Sequence, residues 1–448
     1  MLTASPTSSY PLTLSRSRWL RYAVFFYLYV MQGIPAGFSL TALANYLTAE
    51  GLKPSVIGSF AAIVGLPWAF QFVWGPLIDR YQGSSMGRRK PWVVGAQFLA
   101  FLASLSLLFV HNPVTQITTL AWLFFTHSIF AAVQDASVDA MAITVIAEDE
   151  RGRVNAFMRA GFLIGTGVGA AVFSQLLRNY GFFNAALSQS LCLLTLTAIT
   201  FFIREQPGDR LLPSFKRSSA TARTNANQRT KQPDHSFQWL FTELFKGLFS
   251  KRSLLLFGAI VAAYVSVSLF SRAYSYQLIR VLGWADTSVS VLTGTYGMLV
   301  ATGAALMGGY IADRISPRRL LVIVLTVVAV YLISFNGLAA YWVQRQVAQT
   351  GLVALYFMDP IISVAAMPVL MAICRKGVEG SQFTTYMAFV NLSDILGTYL
   401  SGHALDYVSA PTIGLLAGGL ATVAAVTIFF TIRYYRQQSN SDIQPLAR

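Results

Sequence analysis

The sequence predicts an all-α polytopic membrane protein with about twelve transmembrane helices, arranged as two pseudo-symmetric bundles of six. Three observations predict this fold. Only 11% of the 448 residues are charged and 55% are hydrophobic, whereas soluble domains carry about a quarter charged residues. Apolar runs of about 20 residues recur along the chain and do not alternate as membrane β-strands do. A short motif also occurs twice, once in each half of the chain. Together these features exclude a water-soluble enzyme.

The predicted helices are joined mostly by short connections. Residues 205–252 differ because they are basic and rich in Ser, Thr, Asn and Gln, which predicts a linker. Within the linker, residues 237–249 mix aromatic and polar side chains as an amphipathic helix on a membrane surface does. We therefore expect an N-terminal tail at 1–19, bundles at 20–204 and 253–436, and a C-terminal tail at 437–448. The predicted helices are 20–47, 54–80, 90–110, 115–147, 152–178, 183–203, 253–280, 287–313, 318–340, 346–373, 381–407 and 411–434.

The net charge of +15 is distributed unevenly between the two sides of the predicted membrane. Of the 33 Lys and Arg residues, 28 lie in the tails, in the linker and in the loops on the same side as the linker. This is the positive-inside pattern, so we expect a multi-pass protein of a bacterial cytoplasmic membrane with both termini in the cytoplasm. The positive net charge is then explained by the membrane topology, and no nucleic-acid partner is expected. The four His and two Cys are scattered, so we expect no metal, disulfide or cofactor site.

A motif at the end of the second predicted helix recurs at the end of the eighth. The motif is an Asp-Arg pair whose aspartate follows a glycine by four residues and which precedes a pair of arginines. It occurs at Asp79-Arg80 and at Asp313-Arg314, and the two aspartates are 234 residues apart. This repeat indicates two halves related by duplication. A carboxylate at a helix end can pair with a basic residue or a helix terminus of a neighbour, which predicts a gating latch. The alternative is that the basic residues only set the topology. The predicted latch residues are Gly75, Asp79, Arg80, Arg88, Arg89, Asp313 and Arg314.

Ionisable side chains inside membrane helices are costly and therefore indicate function. Asp135 and Asp139 in the fourth helix are spaced four residues apart, so they share a helix face, and Gln134 adjoins them. Two carboxylates close together in a low-dielectric environment do not both ionise easily, and one of them can hold a proton for coupled transport. The alternative is that one or both pair with Arg159 on the next helix and only stabilise the bundle.

Asp359 in the tenth helix is the counterpart of Asp135 and is expected to face the same cavity from the other half. Arg272 in the seventh helix is the expected partner of Asp359 or of an acidic ligand, unless it only extends toward the membrane surface. The stretch Gln32 to Phe38 in the first helix is a candidate for a flexible segment facing the substrate, although most aromatic residues here are expected to be packing or interface anchors. The stripe of Gly161, Gly165 and Gly169 predicts close helix packing. Further residues predicted to line the cavity are Gln32, Trp68, Gln71 and Asp394.

Several stretches resemble the major facilitator superfamily and, within it, the AmpG-like permeases that import anhydro-muropeptides. The matching stretches are Gln32-Gly33-Ile34-Pro35, Trp74 to Arg80 with Gly87-Arg88-Arg89, Gln134-Asp135-x-x-x-Asp139-Ala140, Glu150-Arg151-Gly152 and Ser381-Gln382-Phe383. The resemblance implies a monomeric, proton-driven importer of an amphipathic solute, in which Gln134, Asp135 and Asp139 form the functional core.

The substrate and the direction of transport stay open at the level of sequence. Enterobacterial muropeptide permeases resemble this chain plus two further C-terminal helices, so a siderophore importer or an acetyl-coenzyme A type transporter is an alternative. An exporter on the same scaffold is another. A different class of protein, a membrane sensor or scaffold that uses its linker to bind a partner, is disfavoured because it has no need of paired intramembrane carboxylates.

Overall fold

The computed structural model describes residues 12–81, 84–146, 150–212, 237–312, 314–375 and 379–443. Ten helices in this part of the chain are long and apolar enough to cross a membrane. One of them, Arg151–Phe202, is 52 residues long and is interrupted at Gly181 (φ 82°, ψ 169°), so it supplies two spans. A further helix of 26 residues, Glu379–Ala404, is long enough to cross although it is more polar. The predicted all-α architecture of two six-helix bundles is confirmed.

We label the membrane helices in chain order. The first bundle contains α1 (Arg18–Ala49), α2 (Pro54–Val73), α3 (Lys90–Phe109), α4 (Ile117–Val145), α5 (151–180) and α6 (182–202). The second bundle contains α7 (Lys251–Val281), α8 (Asp286–Gly308), α9 (Pro317–Gly337), α10 (Arg345–Ala372), α11 (Glu379–Ala404) and α12 (Ala410–Ile443). Two further helices are Trp74–Arg80, after α2, and Phe237–Leu248, in the linker.

The linker helix lies where the sequence predicts an amphipathic helix, and α12 continues to Ile443, past the predicted start of the tail at 437. No glycine or proline between 434 and 443 ends α12 earlier.

The connections define two faces of the molecule. The linker face carries the start of α1, the loop 81–89 and the linker, and the distal face carries the opposite loops, such as 50–53 and 282–285.

Each bundle has its own hydrophobic core. The largest cluster of buried side chains runs from Leu256 to Ile428 and belongs entirely to the second bundle. Two other clusters contain buried side chains of the first bundle and its flanking segments. Among the described residues, a small cluster of Leu163, Met298 and Ala301 joins α5 to α8. The bundles are therefore independently packed units with little shared apolar core.

Two pairs of glycines bring the bundles into backbone contact. A Cβ added to Gly167 of α5 would lie 2.4 Å from the carbonyl oxygen of Gly294 in α8, and one added to Gly294 would lie 2.4 Å from that of Gly167. A Cβ on Gly402 of α11 would lie 2.9 Å from the Cα of Gly58 in α2. Gly58 and Gly294 are 236 residues apart, and Gly167 and Gly402 are 235 apart, so the two contacts are repeat counterparts. We call them the glycine seams.

Close packing of α1 on α5 also depends on glycine. Added Cβ atoms on Gly161, Gly165 and Gly169 would lie 2.2–2.3 Å from carbonyl oxygens of α1. The predicted role of this stripe in helix packing is confirmed. Gly33 and Gly37 supply the matching surface of α1. Cβ atoms added to them would lie 2.3 and 2.1 Å from carbonyl oxygens of α5. Backbone contact along both glycines packs α1 against α5, and the flexible segment facing the substrate stays a prediction.

Three π-helical turns occur in the described helices, and all lie toward the distal face. They are Phe38–Leu43 in α1, Gln277–Val281 in α7 and Thr293–Gly297 in α8. A π turn contains one more residue than an α turn and is often found at functional sites. The distal ends of these helices are therefore irregular, although the hydropathy pattern predicts continuous spans.

Gly294→Ala is expected to destabilise the protein by about 1–3 kcal/mol, because the added methyl forces apart a backbone contact. Gly303→Ala is the matched control in α8, since nothing lies within 4 Å of its added Cβ and alanine favours a helix. Thermal unfolding of both variants in one detergent measures the difference. Equal unfolding temperatures would contradict the role of the seam.

Candidate functional site

Two aspartates of α4 face α1 and α2 inside the first bundle. The Tyr29 hydroxyl of α1 donates a hydrogen bond of 2.5 Å to Asp139, and the Gln71 side-chain amide donates one to Asp135. Gln32 of α1 also lies close to the Asp135 carboxyl. Asp135 is buried, whereas Asp139 is exposed to solvent. The prediction that the two carboxylates share one helix face is confirmed, and two neighbouring helices converge on them.

An interruption in α2 places two of the predicted cavity residues. The α-helical part ends at Ala69, and Gln71–Val73 is a short 3₁₀ turn, so the predicted continuous helix 54–80 is divided. The Gln71 side chain leaves this turn toward Asp135. The carbonyl oxygen of Trp68 accepts a hydrogen bond of 3.3 Å from Asn391 of α11, across the two bundles. The irregular segment therefore contacts both the aspartate pair and the second bundle.

The second bundle contributes two more carboxylates. Asp359 Oδ2 lies 3.4 Å from the Arg159 Nη2 of α5, and the two side chains are 52% and 44% exposed. Asp394 of α11 accepts a hydrogen bond from Ser268 of α7. Asp359, Asp394 and Arg159 all lie close enough to Tyr264 to interact with it electrostatically. The predicted residues Asp359 and Asp394 thus belong to one polar cluster between the bundles.

Exposed ionisable groups lie deep within the spans. At a rise of 1.5 Å per residue, Asp139 is about 9 Å from the end of α4, Arg159 about 12 Å from the start of α5 and Asp359 about 20 Å from the end of α10. All three helix ends lie at the linker face. Because the Arg159–Asp359 pair joins the two bundles, the solvent that reaches it occupies a cavity between them. We call the space around these exposed groups the central cavity.

The structure corrects two predicted pairings. Arg272 is not the partner of Asp359, because its guanidinium donates a hydrogen bond of 2.6 Å to the Leu40 carbonyl oxygen in the π turn of α1. Arg159 does not pair with the α4 aspartates, since it reaches across the cavity to Asp359. Gln134 is also not in the exposed cluster. It is buried, and its amide nitrogen has no hydrogen-bond partner within the described chain.

The two bundles are joined by polar contacts at the distal face. Arg178 of α5 forms ion pairs of 2.9 Å with Glu50 and with Asp286 at the start of α8. The Asn45 amide of α1 donates a hydrogen bond of 3.0 Å to Ser290 of α8. Near the linker face the ion pair Arg21–Glu150, at 2.6 Å, lies within the first bundle. The distal face is closed, and sequence alone did not single out Arg178 because it resembles a loop cation.

Glu205 anchors the loop between α2 and α3. Its carboxylate accepts hydrogen bonds from the backbone N–H groups of Arg88 (2.9 Å), Arg89 (2.7 Å) and Lys90 at the start of α3. Burial raises the pKa of the Glu205 carboxyl, and the three N–H groups act in the opposite direction. Gly87 has a φ of 128°, and an added Cβ would lie 3.1 Å from the carboxyl carbon. Sequence analysis missed Glu205 because no local pattern links it to a loop more than a hundred residues earlier.

The predicted latch is only partly visible. The Asp79 side chain and the whole of Asp313 lie outside the described part of the structure. Arg89 donates a hydrogen bond of 3.0 Å to the Ile78 carbonyl oxygen, and the Arg80 guanidinium lies 5.7 Å from the centre of the Tyr81 ring. Among the other latch residues, Arg88 contributes its backbone N–H to Glu205, Arg314 is exposed, and Gly75 has no heavy atom within 4 Å of an added Cβ. The latch stays a prediction.

Two separately packed bundles that are joined at the distal face and have exposed ionisable groups between them define a membrane carrier of small solutes. The chain belongs to the Major Facilitator Superfamily, whose family model matches residues 23–358 and 256–446. It is therefore a member of a transporter family and not of an enzyme family.

Relatives and solved structures agree with this assignment. The chain is 24% identical over 431 residues to the anhydromuropeptide permease of Escherichia coli K12, covering 92% of this chain and 81% of the permease. It is 26% identical over 317 residues to an uncharacterized protein of Haemophilus influenzae, covering 69% and 68% of the two chains. The inward open conformation of the xylose transporter XylE from E. coli matches with a TM-score of 0.62 at 12% identity, over 91% of this chain and 96% of XylE. The nucleoside transporter NupG, in a mutant form, matches with a TM-score of 0.64 at 13% identity, over 92% and 99%.

Glu205→Ala is expected to lower stability by about 1–2 kcal/mol, because three N–H groups at the start of α3 lose their acceptor. Glu205→Gln keeps an acceptor oxygen and should retain more of the stability. Thermal unfolding in detergent measures both changes. Equal losses in the two variants would show that the negative charge, and not the acceptor, stabilises the loop.

Arg178→Gln is expected to loosen the distal face, because it removes the ion pair to Asp286 across the bundles. The measurement is the yield of a short cross-linker between cysteines at Asn45 and Ser290, with Cys192 and Cys374 replaced by serine. An ion pair that contributes about 1 kcal/mol corresponds to a fall of about fivefold in the ratio of closed to open protein. Arg280→Gln at the same face is the control, and an unchanged yield in the Arg178 variant would rule out this role.

Proposed function

We propose that this protein is a proton-coupled importer of an amphipathic solute of the anhydro-muropeptide class and that it works by alternating access. The observation that carries the proposal is the pair Asp135 and Asp139, one helical turn apart beside the central cavity. Asp139 is exposed to the cavity, and Asp135 is buried behind it. Carboxylates so close together repel each other when both are ionised, and a bound proton relieves the repulsion. Proton binding at the pair is therefore coupled to the charge of the cavity.

The orientation follows from the distribution of basic residues. Of the 33 Lys and Arg residues, 28 belong to sequence segments on the linker side, with Arg159 inside the cavity among them, and basic loops remain in the cytoplasm. With the linker face inward, the open cavity faces the cytoplasm and the closed distal face points outward. This arrangement is the one in which an importer releases its solute. The similarity to the inward open XylE structure supports this orientation.

The solute class is supported by the relatives and by the chemistry of the cavity. A protein 24% identical over 92% of this chain is named anhydromuropeptide permease. The cavity combines charged groups at Arg159 and Asp359 with an amide at Asn391, which donates to the Trp68 carbonyl oxygen, and the buried ring of Tyr264 lies close to the two charges. Such a surface suits a solute with sugar or peptide groups and apolar parts.

A thermal-shift series tests the solute class, because a ligand that binds the native state raises its unfolding temperature by mass action. The panel contains an anhydro-muropeptide, a ferric siderophore, acetyl-coenzyme A and a simple sugar. Stabilisation by the muropeptide alone supports the proposal. Stabilisation by the siderophore or by acetyl-coenzyme A in its place assigns the chain to that solute and overturns the muropeptide assignment.

Asp135→Asn is expected to abolish accumulation driven by a pH gradient, because the amide neither repels Asp139 nor accepts a proton at neutral pH. Uptake by proteoliposomes with an imposed gradient measures the effect. Asp406→Asn, in a distal loop outside the cavity, is the control and should transport normally. Solute binding without accumulation by the unmodified protein would favour a sensor. Normal gradient-driven uptake by Asp135→Asn would place the proton at another group.

A further inference from the structure

A groove of about 270 Å³ lies at the distal face, outside the central cavity. Its walls come from both bundles. Gln175 belongs to α5, Ser288 and Thr295 to α8, and Arg345 and Gln349 to the first turns of α10. We call it the α8 groove. It lies apart from the Asp135 and Asp359 clusters and plays no part in the proposed proton coupling.

The groove carries a cation that the protein does not neutralise. Arg345 lies over the Trp284 ring, with the guanidinium carbon 5.5 Å from the ring centre. Within the described chain the Arg345 side chain makes no hydrogen bond or ion pair, and the described lining contains no acidic side chain. The Ser288 hydroxyl and the Gln175 and Gln349 amides around it supply further hydrogen-bond donors, whereas the Thr295 hydroxyl donates to the Val291 carbonyl oxygen. A guanidinium held by an aromatic ring and surrounded by neutral donors suits an anion with several oxygens, such as a phosphate.

Directly beneath the groove, α8 presents an apolar surface. Tyr296 is 64% exposed, Leu299 70%, Leu306 60% and Met307 66%, and their spacing places them on one helix face. This face starts in the groove itself, because Tyr296 is one of its lining residues. Between Ser288 and Met307 the helix extends about 28 Å, which is close to the thickness of the hydrocarbon core. The surface is long enough for acyl chains.

The depth of the groove agrees with that of a membrane surface. Trp284 precedes the first residue of α8 by two positions, and Arg345 is the first residue of α10. Tryptophan and arginine at the ends of membrane helices mark the level of the lipid headgroups. The polar groove therefore lies at headgroup depth, and the apolar face of α8 lies at the depth of the lipid chains.

We propose that the α8 groove binds the phosphate headgroup of a membrane phospholipid, whose acyl chains lie along Tyr296, Leu299 and Met307. Arg345 supplies the charge, and the neighbouring hydroxyl and amide groups hydrogen-bond the phosphate oxygens. A free phosphate ion shares this headgroup chemistry but makes no use of the apolar face. Because Gln175 comes from α5, the bound lipid contacts both bundles at the face where they meet.

Native mass spectrometry of the detergent-purified protein with added phosphatidylglycerol tests the proposal. The unmodified protein should retain the lipid, and Arg345→Gln should retain at least about fivefold less. Arg345→Lys keeps the charge and should retain an intermediate amount. Arg280→Gln removes a cation from the same face outside the groove and should bind like the unmodified protein. Thermal unfolding verifies that each variant is folded.

Two results would overturn the assignment. Equal retention of phosphatidylglycerol by Arg345→Gln and the unmodified protein would place the lipid elsewhere. Displacement of the lipid by inorganic phosphate at millimolar concentration would assign the groove to a free anion. Ser288→Asp provides an independent check if Arg345→Gln is unstable. It adds a negative charge inside the groove and should reduce lipid retention to a similar degree, and full retention would contradict the proposal.

Discussion

The contact that the rest of the structure depends on is the direct approach of backbone to backbone at the two glycine seams. At Gly167 and Gly294 the bundles touch through backbone carbonyl groups, and the side chains of Met298 and Ala171 lie next to this contact. Small residues at a helix crossing let two backbones approach closely. The larger hydrophobic cores on either side are separate, so each bundle has its own packing. The alternating access that we propose therefore needs a change of angle between the bundles and no repacking inside them.

The ion pairs between the bundles differ in exposure from one face to the other. At the distal face Arg178 pairs with Asp286 at 2.9 Å, and the Asp286 side chain is only 6% exposed. In the cavity Arg159 pairs with Asp359 at 3.4 Å, and both side chains are about half exposed. A pair with a buried partner is costly to separate, whereas an exposed pair contributes about 1 kcal/mol or less. The pair at the distal face is therefore the more costly of the two to separate.

Sequence reasoning predicted the parts of this protein that depend on local pattern. The length of the apolar runs predicted the membrane helices, and the repeated motif predicted the two halves. The four-residue spacing of Asp135 and Asp139 predicted that they share one helix face. It did not predict the ion pair between Arg159 and Asp359, or the hydrogen bonds that Glu205 accepts from backbone N–H groups of the loop before α3. Both contacts join distant segments whose relative position depends on tertiary packing. Gly33 shows the same limit. Its flexibility in isolation is evident from the sequence, but the backbone of α5 lying against it is not.

The π turns have a consequence for how side chains are distributed around a helix. Each one inserts an extra residue, so the positions beyond it are rotated by about 100° relative to an uninterrupted α-helix. A helical wheel drawn through all of α1 as a regular α-helix places Asn45, which contacts Ser290 of the other bundle, about 120° away from Gly33, which contacts α5. The extra residue of the π turn brings Asn45 back to within about 20° of Gly33. The π turn thus keeps the contacts with α5 and with α8 on one side of α1.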